Sequence, residues 1–577
     1  MSADEALRVW APRADRVEVE LLDEGRHVRM LATDRGVFRL PLDQVRGRYQ
    51  LRLDGEAVPD PWAPDVEGVL GPCRRDDAAF AWTDARFRAV PLADAIVYEL
   101  HVGTFTEGGT FDAAIARLPY LAELGVTHLE LMPVATFSGE RGWGYDGAAL
   151  FAPHRAYGGP AGLRRLVDAA HHHGLAVLLD VVYNHLGPIG NFLDRLGPFF
   201  RADRPTPWGP AVNLDGAGSD EVRRFFIDNA LHWLRRYHLD GLRLDAVHAL
   251  SDASALPFLE ELATAVARLG EALGRSLVLV AESDLNDPRL VRAPAHGGFG
   301  LDAQWSDDFH HALHVALTGE RVGYYADFAE APITMLGRAL TRGWVYGGDR
   351  SAYRGHRHGR PLGDLPRTRL LGYAQNHDQI GNRARGERLS QLVGPARLRA
   401  AATLVLTAPY VPLLFMGEEW GASTPFLYFT DHRDPAVAAA TSAGRRAELA
   451  AFGWHADDVP DPQDPQTFLR SRLRFEERTR PPHAALLEHV RRLIALRRAE
   501  PALRDGRPDG VRVAVDEARR TLLVDRGRFA IACNLGHEAA SIAIDGGAAL
   551  VLGDGTLVGG ALALPPDGAA VVARRVP

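Results

Sequence analysis

The spacing of apolar and polar residues divides the chain into three stretches, and the first ends near residue 54. Between residues 7 and 54, short runs such as 16–21 and 49–53 alternate apolar and polar side chains and are separated by turn residues. Strict alternation is typical of strands with one buried face, so this stretch predicts a small antiparallel β-domain. A proline-rich segment at residues 59–64 follows, and we expect a rigid, non-helical boundary there.

The second stretch, from about residue 94 to 500, repeats an apolar run followed in most cases by an amphipathic helix, for example 220–237. The eight predicted strands are residues 96–100, 126–131, 176–182, 241–244, 277–281, 302–305, 370–374 and 412–416. Continuous apolar runs are typical of parallel strands that are buried on both faces. An open, doubly wound sheet is the alternative, but its edge strands would be expected to be less apolar than its central ones, and they are not. The pattern therefore favours closure into a (β/α)8 TIM barrel.

The third stretch begins after a predicted helix at residues 485–503. From about residue 508 to 576 the chain returns to short β patterns with glycine-rich turns. The predicted fold class is therefore α/β: a (β/α)8 TIM barrel flanked by an N-terminal β-sandwich domain and a C-terminal antiparallel β-domain. The corresponding predicted domains are residues 1–90, 91–504 and 505–577.

Composition excludes several classes of chemistry. The 577-residue chain contains no lysine, so all 66 residues counted as lysine plus arginine are arginine. A Schiff-base lysine, a Walker A lysine, a kinase lysine and a Ser-x-x-Lys nucleophile are thereby excluded. Any chemistry must rest on carboxylates, imidazoles and guanidiniums.

Net charge and cysteine content indicate which partners and which cellular compartment to expect. The formal net charge is −8, and acidic and basic residues are mixed along the chain, so no basic stripe for nucleic acid is predicted. Cys73 and Cys533 lie far apart in sequence and are too few for a disulfide framework or a four-cysteine zinc site. Neither a signal peptide nor an apolar run long enough to span a bilayer is recognisable. We expect a cytoplasmic protein that binds neither nucleic acid nor membrane.

The candidate chemistry lies where the predicted barrel strands end, because TIM barrels build their active sites at the C-terminal ends of the strands. Four of these ends carry acids, histidines or arginine: residues 180–185, 241–248, 281–284 and 376–382. A single acid in such a position is more often a helix cap or a surface charge. Four such ends at one mouth instead indicate an active site.

Two of the strand ends allow a physical interpretation. Arg243 and Asp245 lie two residues apart on one strand, so both side chains point into the barrel, and we predict that they pair and keep Asp245 ionised. Glu282 follows the apolar residues 278–281, a setting that suits a carboxyl group kept protonated as a general acid. Asp180 is interpreted as a structural residue that bonds loop backbone.

Together the four segments resemble the four signature regions of the α-amylase family of glycoside hydrolases, in the same order, and the resemblance covers essentially the whole chain. It implies that Asp245 is the nucleophile, Glu282 the general acid/base, and Asp378 the carboxylate that holds sugar hydroxyls and stabilises the transition state. It also implies retention of anomeric configuration, with Asp245 and Glu282 about 5–5.5 Å apart.

The resemblance assigns further polar residues of these segments to substrate binding. They are His185, Arg243, His248, Asn376, His377 and Gln379. Among them, His185, Arg243 and His377 match the residues that line the subsite where positive charge develops.

The segment after the second strand favours one branch of the family. The N-terminal β-domain is similar to the module that precedes the barrel in branching, debranching and trehalose-releasing enzymes. Residues 130–147, 281–289 and 305–310 are similar to the trehalose-releasing hydrolases, whereas branching enzymes usually carry glutamine after the Trp-Gly-Tyr found here at 143–145. The resemblance implies hydrolysis of the α-1,4 bond next to the terminal trehalose of maltooligosyl trehalose.

Two further groups of residues are predicted to contact this substrate. Trp143 and Tyr145 can stack on sugar faces and Asp146 can accept hydrogen bonds from hydroxyls, although the two aromatic rings could instead only pack the loop. The residues predicted to contact the leaving trehalose are Asp307, Asp308 and His310.

No cofactor and no required metal are predicted. Residues 142–147 satisfy the pattern G-x-G-x-x-G but lead into Pro153 rather than a helix, so a dinucleotide site is not expected. His310 and His314 have helical spacing without a third ligand. Some relatives bind calcium near the counterpart of Asn184, but no oxygen-rich ligand set is recognisable here.

Two other functions remain open from the sequence. One is a 1,4-α-glucan branching enzyme, a glucanotransferase, and the other is a non-catalytic glycan-binding protein. The expected partners are maltooligosyl trehalose and related α-glucans, with pathway coupling to a maltooligosyl trehalose synthase.

Overall fold

Eight parallel strands close into a barrel at the centre of the molecule. A computed structural model of the chain describes residues 6–76, 78–451, 453–544 and 547–574. The barrel strands are Val97–Leu100 (β1), His128–Leu131 (β2), Ala176–Val181 (β3), Gly241–Leu244 (β4), Val278–Ala281 (β5), Ala303–Trp305 (β6), Leu370–Gly372 (β7) and Val411–Phe415 (β8). Neighbours in this order are hydrogen-bonded, and β8 pairs with β1 to complete the ring. The predicted (β/α)8 barrel is confirmed.

The predicted runs and the observed strands differ only at their ends. The run 126–131 begins two residues before β2, and the run 412–416 begins one residue after the start of β8. Ile96 and Val126 are buried although they lie outside the strands. Apolar runs report burial rather than ladder hydrogen bonds, which explains the small differences.

The interior of the barrel is apolar at one end and charged at the other. Residues Val97, Leu178, Val278, Leu371 and Leu413 pack together inside it. Further along the strands stand Glu99, which pairs in register with Glu130, and Asp180, which pairs in register with Arg243. These charged side chains form the floor of the mouth at the C-terminal ends of the strands.

Helices surround the barrel, and two of them had predicted bounds. The longer ones are Gly159–His172, Ser219–Arg236, Phe258–Leu273, Asp307–Thr318, Pro332–Arg342, Pro395–Thr407, Pro435–Ala451 and His483–Ala499. The helix predicted over 220–237 is present. The one predicted over 485–503 ends at Ala499, because Pro501 lacks the N–H needed to continue it and instead begins the separate turn Pro501–Arg504.

Two antiparallel sheets precede the barrel, as expected. One contains Ala6–Trp10, Leu31–Ala32 and Val37–Pro41, and the other Val17–Leu21, Arg26–Arg29, Arg48–Leu53, Glu56–Val58, Asp65–Val66 and Cys73–Arg74. The prediction of a boundary at residues 59–64 is wrong, because the strands at 65–66 and 73–74 return to the second sheet. The prolines lie in a turn of this domain, where the Tyr49 hydroxyl donates to Asp60.

The chain after the barrel also forms two antiparallel sheets. The larger contains Arg512–Asp516, Thr521–Arg526, Phe529–Asn534, Ala548–Gly553 and Ala569–Arg574, and the smaller Ala540–Ala543, Thr556–Val558 and Ala561–Leu564. The C-terminal β-domain is therefore present, while the exact limits at 90/91 and 504/505 stay a prediction. No helix within the described ranges has both the length and the apolar character that crossing a membrane requires.

Candidate active site

A cavity of about 670 Å³ opens at the C-terminal ends of the barrel strands. Of the residues predicted from the sequence, it is lined by Trp143, Tyr145, Asp146, His185, Asp245, His248, Glu282 and Asp378. A second cavity of about 290 Å³ adjoins it and shares Glu282, Asp378 and Asn382 with the first. The three predicted catalytic carboxyl groups therefore stand at one mouth.

The guanidinium of Arg243 is the centre of the site. Its Nη1 donates to Asp245 Oδ1 at 2.8 Å, and its Nη2 lies 2.8 Å from Glu282 Oε2. The group is fully buried and lies 4.2 Å from the centroid of the Trp305 ring, which adds a cation–π contact. The predicted pairing of Arg243 with Asp245 is present, and the same cation also contacts Glu282.

The backbone after β4 brings Glu282 close to Asp245. Ala246 adopts a left-handed conformation with φ of 39°, and its N–H donates to Glu282 Oε2 at 2.7 Å. The carboxylate of Glu282 is thus held by an N–H and a guanidinium, so its immediate surroundings are polar although the strand before it is apolar. Sequence alone showed only the apolar strand.

Asp378 is held by a short helix, His377–Gly381, that begins with a capping box. The Asn376 side chain accepts from the Asp378 N–H at 2.9 Å, and the Gln379 side chain accepts from the Asn376 N–H at 3.0 Å. This exchange satisfies two backbone donors at the start of the helix. Burial raises the pKa of Asp378, and the positive charge of His377 opposes that rise.

His377 connects the helix to the barrel floor. Its N–H donates to Glu99 Oε2 at 3.1 Å, its Nδ1 bonds to Glu99 Oε1, and its Nε2 lies 2.8 Å from the Tyr145 hydroxyl. Burial disfavours the charged imidazole, but Glu99 and Asp378 outweigh it and raise the pKa of His377 to about 9. The residue therefore brings a positive charge close to Asp378.

Asp180 has a structural role, but within the described ranges its carboxylate bonds to side chains and not to loop backbone, so that part of its interpretation from sequence is wrong. Its carboxylate accepts from Arg243 Nη1 at 2.8 and 2.9 Å and from the Tyr145 hydroxyl at 2.6 Å. Burial raises the pKa of Asp180 to about 7, against the opposing charge of Arg243. The residue fixes Arg243 and Tyr145 from below.

The loop after β2 supplies the upper wall of the first cavity. Trp143 is only 5% exposed, donates from its indole N–H to the Leu427 carbonyl at 2.9 Å, and stacks on Phe426. Its ring therefore mainly packs the loop, with one edge at the cavity. Burial raises the pKa of Asp146 to about 6, and desolvation lowers the pKa of the half-buried His185 imidazole to about 4.

The second cavity contains the acid predicted at the start of the helix after β6. Asp307 accepts from the Tyr373 hydroxyl and faces the same space as Asp284, Arg354 and Tyr353. Burial, helped by Glu282, Asp284 and Asp378, raises the pKa of Asp307 to about 7. Asn376 and Gln379 also line this cavity.

Asp308 and His310 are not among the residues that line either cavity, although both were predicted to contact substrate. Asp308 Oδ2 accepts from the Asn286 side chain and from the N–H groups of Val345 and Tyr346 at 2.7–2.9 Å. His310 bonds to the Ala374 carbonyl at 2.8 Å and to the Tyr325 hydroxyl at 2.9 Å. The helix beginning at Asp307 turns both side chains into the protein, where they hold neighbouring loops.

Several lining residues were not predicted. Trp208, at the turn between strands Phe200–Thr206 and Gly209–Val212, stacks on His185 with ring centroids 5.5 Å apart. Arg445 and Glu448 come from helix Pro435–Ala451, and Arg445 bonds to the carbonyl of Gly381. These segments lie outside the strand ends, so no pattern in the sequence indicated that they reach the site.

No cluster of three or more histidine, cysteine, aspartate or glutamate side chains with metal-binding geometry occurs in the described ranges. The expectation that no metal is required stays a prediction.

Comparisons with known proteins place this geometry in a family. The model of the α-amylase catalytic domain matches residues 78–195, and a model of a domain of unknown function, DUF3459, matches residues 507–571. The chain is 52% identical over 573 residues to a malto-oligosyltrehalose trehalohydrolase of Arthrobacter ramosus, covering 98% of each chain. It is 47% identical to the protein of the same name from Mycobacterium tuberculosis strain H37Rv, over 93% of this chain and 94% of that one.

A solved structure is also similar throughout. A Salmonella typhimurium protein assigned to the α-amylases superposes with a TM-score of 0.91 at 39% identity, over 100% of this chain and 99% of that one. The similarity therefore extends to the flanking β-domains.

Proposed function

The chain belongs to the malto-oligosyltrehalose trehalohydrolases, within the α-amylase family of glycoside hydrolases, and from that membership we propose that it hydrolyses the α-1,4-glucosidic bond next to the terminal trehalose of maltooligosyl trehalose. The observation that carries the proposal is the contact of the buried Arg243 with both Asp245, which lines the larger cavity, and Glu282, which borders both cavities. Hydrolysis would release trehalose and a shortened maltooligosaccharide.

The two carboxyl groups on Arg243 suit a double displacement with retention of configuration. Asp245 attacks the anomeric carbon while Glu282 donates its proton to the glycosidic oxygen, which leaves with trehalose. The resulting glycosyl ester on Asp245 is then attacked by water, which loses a proton to Glu282. Each step breaks one C–O bond and forms one, and Glu282 ends in its starting protonation state.

The remaining side chains stabilise the sugar as positive charge develops on it. Asp378 is placed to bind hydroxyls of the reacting glucosyl unit, and the charged His377 lies behind Asp378 and Tyr145, while Tyr145 is fixed by Asp180. Arg243 fixes the position of the Asp245 carboxylate, because its Nη1 donates to Asp245 Oδ1 at 2.8 Å.

The two cavities differ in the catalytic residues that line them, and this difference suggests which part of the substrate each one holds. Asp245 lines only the larger cavity, whereas Glu282 borders both. The nucleophile must face the glucosyl unit that is retained, and the acid must reach the bond that breaks. We therefore assign the glucan chain to the larger cavity and the leaving trehalose to the smaller one, which contains Asp307 and Arg354.

The experiment that tests the function compares maltooligosyl trehalose with maltooligosaccharide of the same length. We expect much faster cleavage of the first, trehalose as the released disaccharide, and an α-anomeric reducing end in early NMR spectra of the other product. Equal rates on both substrates would contradict the trehalose assignment. Loss of iodine staining of amylose without new reducing ends would instead indicate a branching enzyme, and wild-type activity in Asp245→Ala would exclude catalysis at this site.

A variant in the smaller cavity tests the placement of trehalose. We expect Asp307→Asn to lower kcat/KM for maltooligosyl trehalose more than for maltooligosaccharide, because only the first places α,α-linked glucose against this side chain. Asp287→Asn is the matched control, since Asp287 follows the same barrel strand as Glu282 but lines neither cavity and pairs with Arg289. An equal loss on both substrates would contradict the assignment.

The setting of the reaction is also a proposal. We propose that the enzyme acts in the cytoplasm after a maltooligosyl trehalose synthase, and its two buried, unpaired cysteines suit a reducing compartment. Cell fractionation, and trehalose formation from maltooligosaccharide only when both enzymes are mixed, would test this.

A further inference from the structure

Glu130 is a buried carboxyl group that the mechanism above does not use. It lies on β2, it is 1% exposed, and neither of its oxygens has a hydrogen-bond partner within the part of the chain that the structure describes. Its register partners are Glu99 on β1 and Leu178 on β3, and Leu178 belongs to the interior cluster of the barrel. Residues paired in register share a face, so Glu130 points into the barrel beneath the active site.

The charged groups that face Glu130 come from four elements. Glu99 on β1 and Asp180 on β3 are carboxyl groups, whereas Arg243 on β4 and His377 after β7 are cations. Each cation is already bonded to one of these carboxyl groups, the His377 imidazole to Glu99 and the Arg243 guanidinium to Asp180. An ionised Glu130 would therefore be a buried charge with no cation of its own, which is costly.

The electrostatic effects on the pKa of Glu130 also favour its neutral form. Burial, together with the charges of Glu99 and Asp180, holds the pKa of Glu130 well above its ordinary range, and Arg243 and His377 only reduce the rise. A carboxyl group in that state carries a proton and is a donor as well as an acceptor.

We propose that Glu130 is a positioning residue that stays a neutral carboxylic acid and so keeps Glu99 on His377 and Asp180 on Arg243. An ionised side chain there would repel both carboxylates and compete for both cations. Arg243 contacts Asp245 and Glu282, so its displacement would move the nucleophile and the acid together. Displacement of His377 would move the positive charge that lies beside Asp378.

The kinetic test compares two variants and rests on the proposed function. Glu130→Gln keeps the size and polarity of the neutral acid, so we expect kcat/KM and its pH profile to stay near the wild-type values. Glu130→Lys places a cation where the neutral acid stands, and we expect kcat to fall by about 10²-fold because this cation competes with His377 for Glu99 and with Arg243 for Asp180, with a smaller change in KM. Gln304→Lys is the control for the cost of a buried cation alone, because Gln304 on β6 is equally buried and also has no side-chain hydrogen-bond partner in the described chain.

A second test needs no substrate and is independent of the function. A folded-state pKa above the unfolded value of 4.5 means that the proton stabilises the fold fully below pH 4.5 and progressively less as the pH rises towards the folded-state pKa. Compared with Glu130→Gln, the wild-type unfolding constant should therefore increase by up to tenfold per pH unit over this range. The infrared difference spectrum between the wild type and Glu130→Gln at neutral pH should contain the carbonyl band of one protonated carboxylic acid.

The outcomes separate this inference from the proposed function. It is overturned if Glu130→Gln loses as much activity as Glu130→Lys, or if the infrared band and the stability difference are both absent. If Glu130→Lys does not fold, the Gln variant and the infrared band still decide. If maltooligosyl trehalose is not the substrate, the two substrate-free measurements remain valid.

Discussion

At the scale of single residues, Arg243 explains how three acids can share one small site. A carboxylate beside another carboxylate is destabilised unless a cation lies between them. Arg243 bonds to Asp180 and Asp245 and lies against Glu282, so one guanidinium serves all three. The pairing with Asp245 was predicted from the two-residue spacing, while the contacts with Asp180 and Glu282 join separate strands and were not.

The loss of the acid Glu282 should slow glycosylation most for substrates whose leaving group must be protonated. Glu282→Gln cannot donate a proton, so we expect kcat/KM on maltooligosyl trehalose to fall by about 10²–10⁴-fold. An α-maltosyl fluoride, whose fluoride leaves without a proton, should be affected much less in the glycosylation step. First-turnover release of fluoride and of trehalose checks this, because the later hydrolysis of the glycosyl ester also uses Glu282, and an equal loss in the first turnover of both substrates would show that Glu282 is not the acid.

The charge on His377 should depend on Glu99. The pKa of His377 is raised to about 9, so the charged form, and the stability it contributes, is fully present below pH 6.5 and lost as the pH rises through about 9. Without Glu99, burial should move this loss to lower pH. We therefore expect Glu99→Gln to weaken substrate binding at pH 8 more than at pH 6, measured by calorimetry in an Asp245→Asn background.

The control for this pH dependence is Glu107→Gln, which changes an exposed acid on the loop after β1. It should bind with the wild-type pH dependence. A Glu99→Gln variant that binds equally at both pH values would contradict the assigned pair.

At the scale of elements, the short helix that carries Asp378 depends on close packing against the β2 loop. A Cβ at Gly381 would overlap the indole ring of Trp143, which is itself fixed by the Leu427 carbonyl. We expect Gly381→Ala to move the helix and lower kcat/KM by about 10²-fold, measured by steady-state kinetics.

Gly394→Ala provides the matched control. Gly394 precedes helix Pro395–Thr407, has φ of −73°, and has open space where a Cβ would be placed. This variant should keep its activity. Equal kinetics in the two variants would show that the packing of Trp143 against Gly381 does not position Asp378.

The elements also show where the pattern of the sequence failed. The eight apolar runs predicted the strands because burial on both faces requires them, and the end of the last long helix differed because of Pro501. Asp308 and His310 were predicted to face substrate from their position after a strand. The helix that starts at Asp307 rotates successive side chains by about 100°, so Asp307 and His311, one turn later, face the cavity, whereas Asp308 and His310 do not.

At the scale of the whole molecule, the flanking β-domains are fixed to the barrel by buried and bridging polar groups. Trp10 of the first domain packs on Phe199, and Arg8 bonds to Glu221 at 2.6 Å. Phe199 lies just before the two strands that flank Trp208, and Glu221 lies shortly after them. The first domain therefore supports the wall of the larger cavity, although none of its residues lines it.

The C-terminal domain depends on Arg526. Its buried guanidinium donates to the carbonyls of Thr407, Ala502, Leu503 and Asp505 at 2.8–3.2 Å. Arg526→Leu leaves these acceptors unsatisfied, and we expect the free energy of unfolding to fall by about 2–4 kcal/mol while KM stays unchanged. Denaturant unfolding of this variant and of Arg519→Leu, whose side chain is 78% exposed, checks it. Equal stabilities would contradict the role.

The sequence by itself determined the barrel and the three carboxyl groups at its mouth. Both follow from local rules: burial on both faces makes strands apolar, and the C-terminal ends of parallel strands meet at one edge, so Asp245, Glu282 and Asp378 had to lie close together. Their catalytic roles came from the resemblance to the family.

Only the tertiary structure decided which groups contact these acids. The bonds of Arg243 to Asp180 and of His377 to Glu99 join residues that are distant in sequence. The sequence also did not show that Glu130 has no hydrogen-bond partner within the described chain. Trp208 and Arg445 reach the cavity from segments with no distinctive pattern. Such contacts are set by how elements pack, and the free energy of a buried charge depends on those neighbours rather than on its position in the chain.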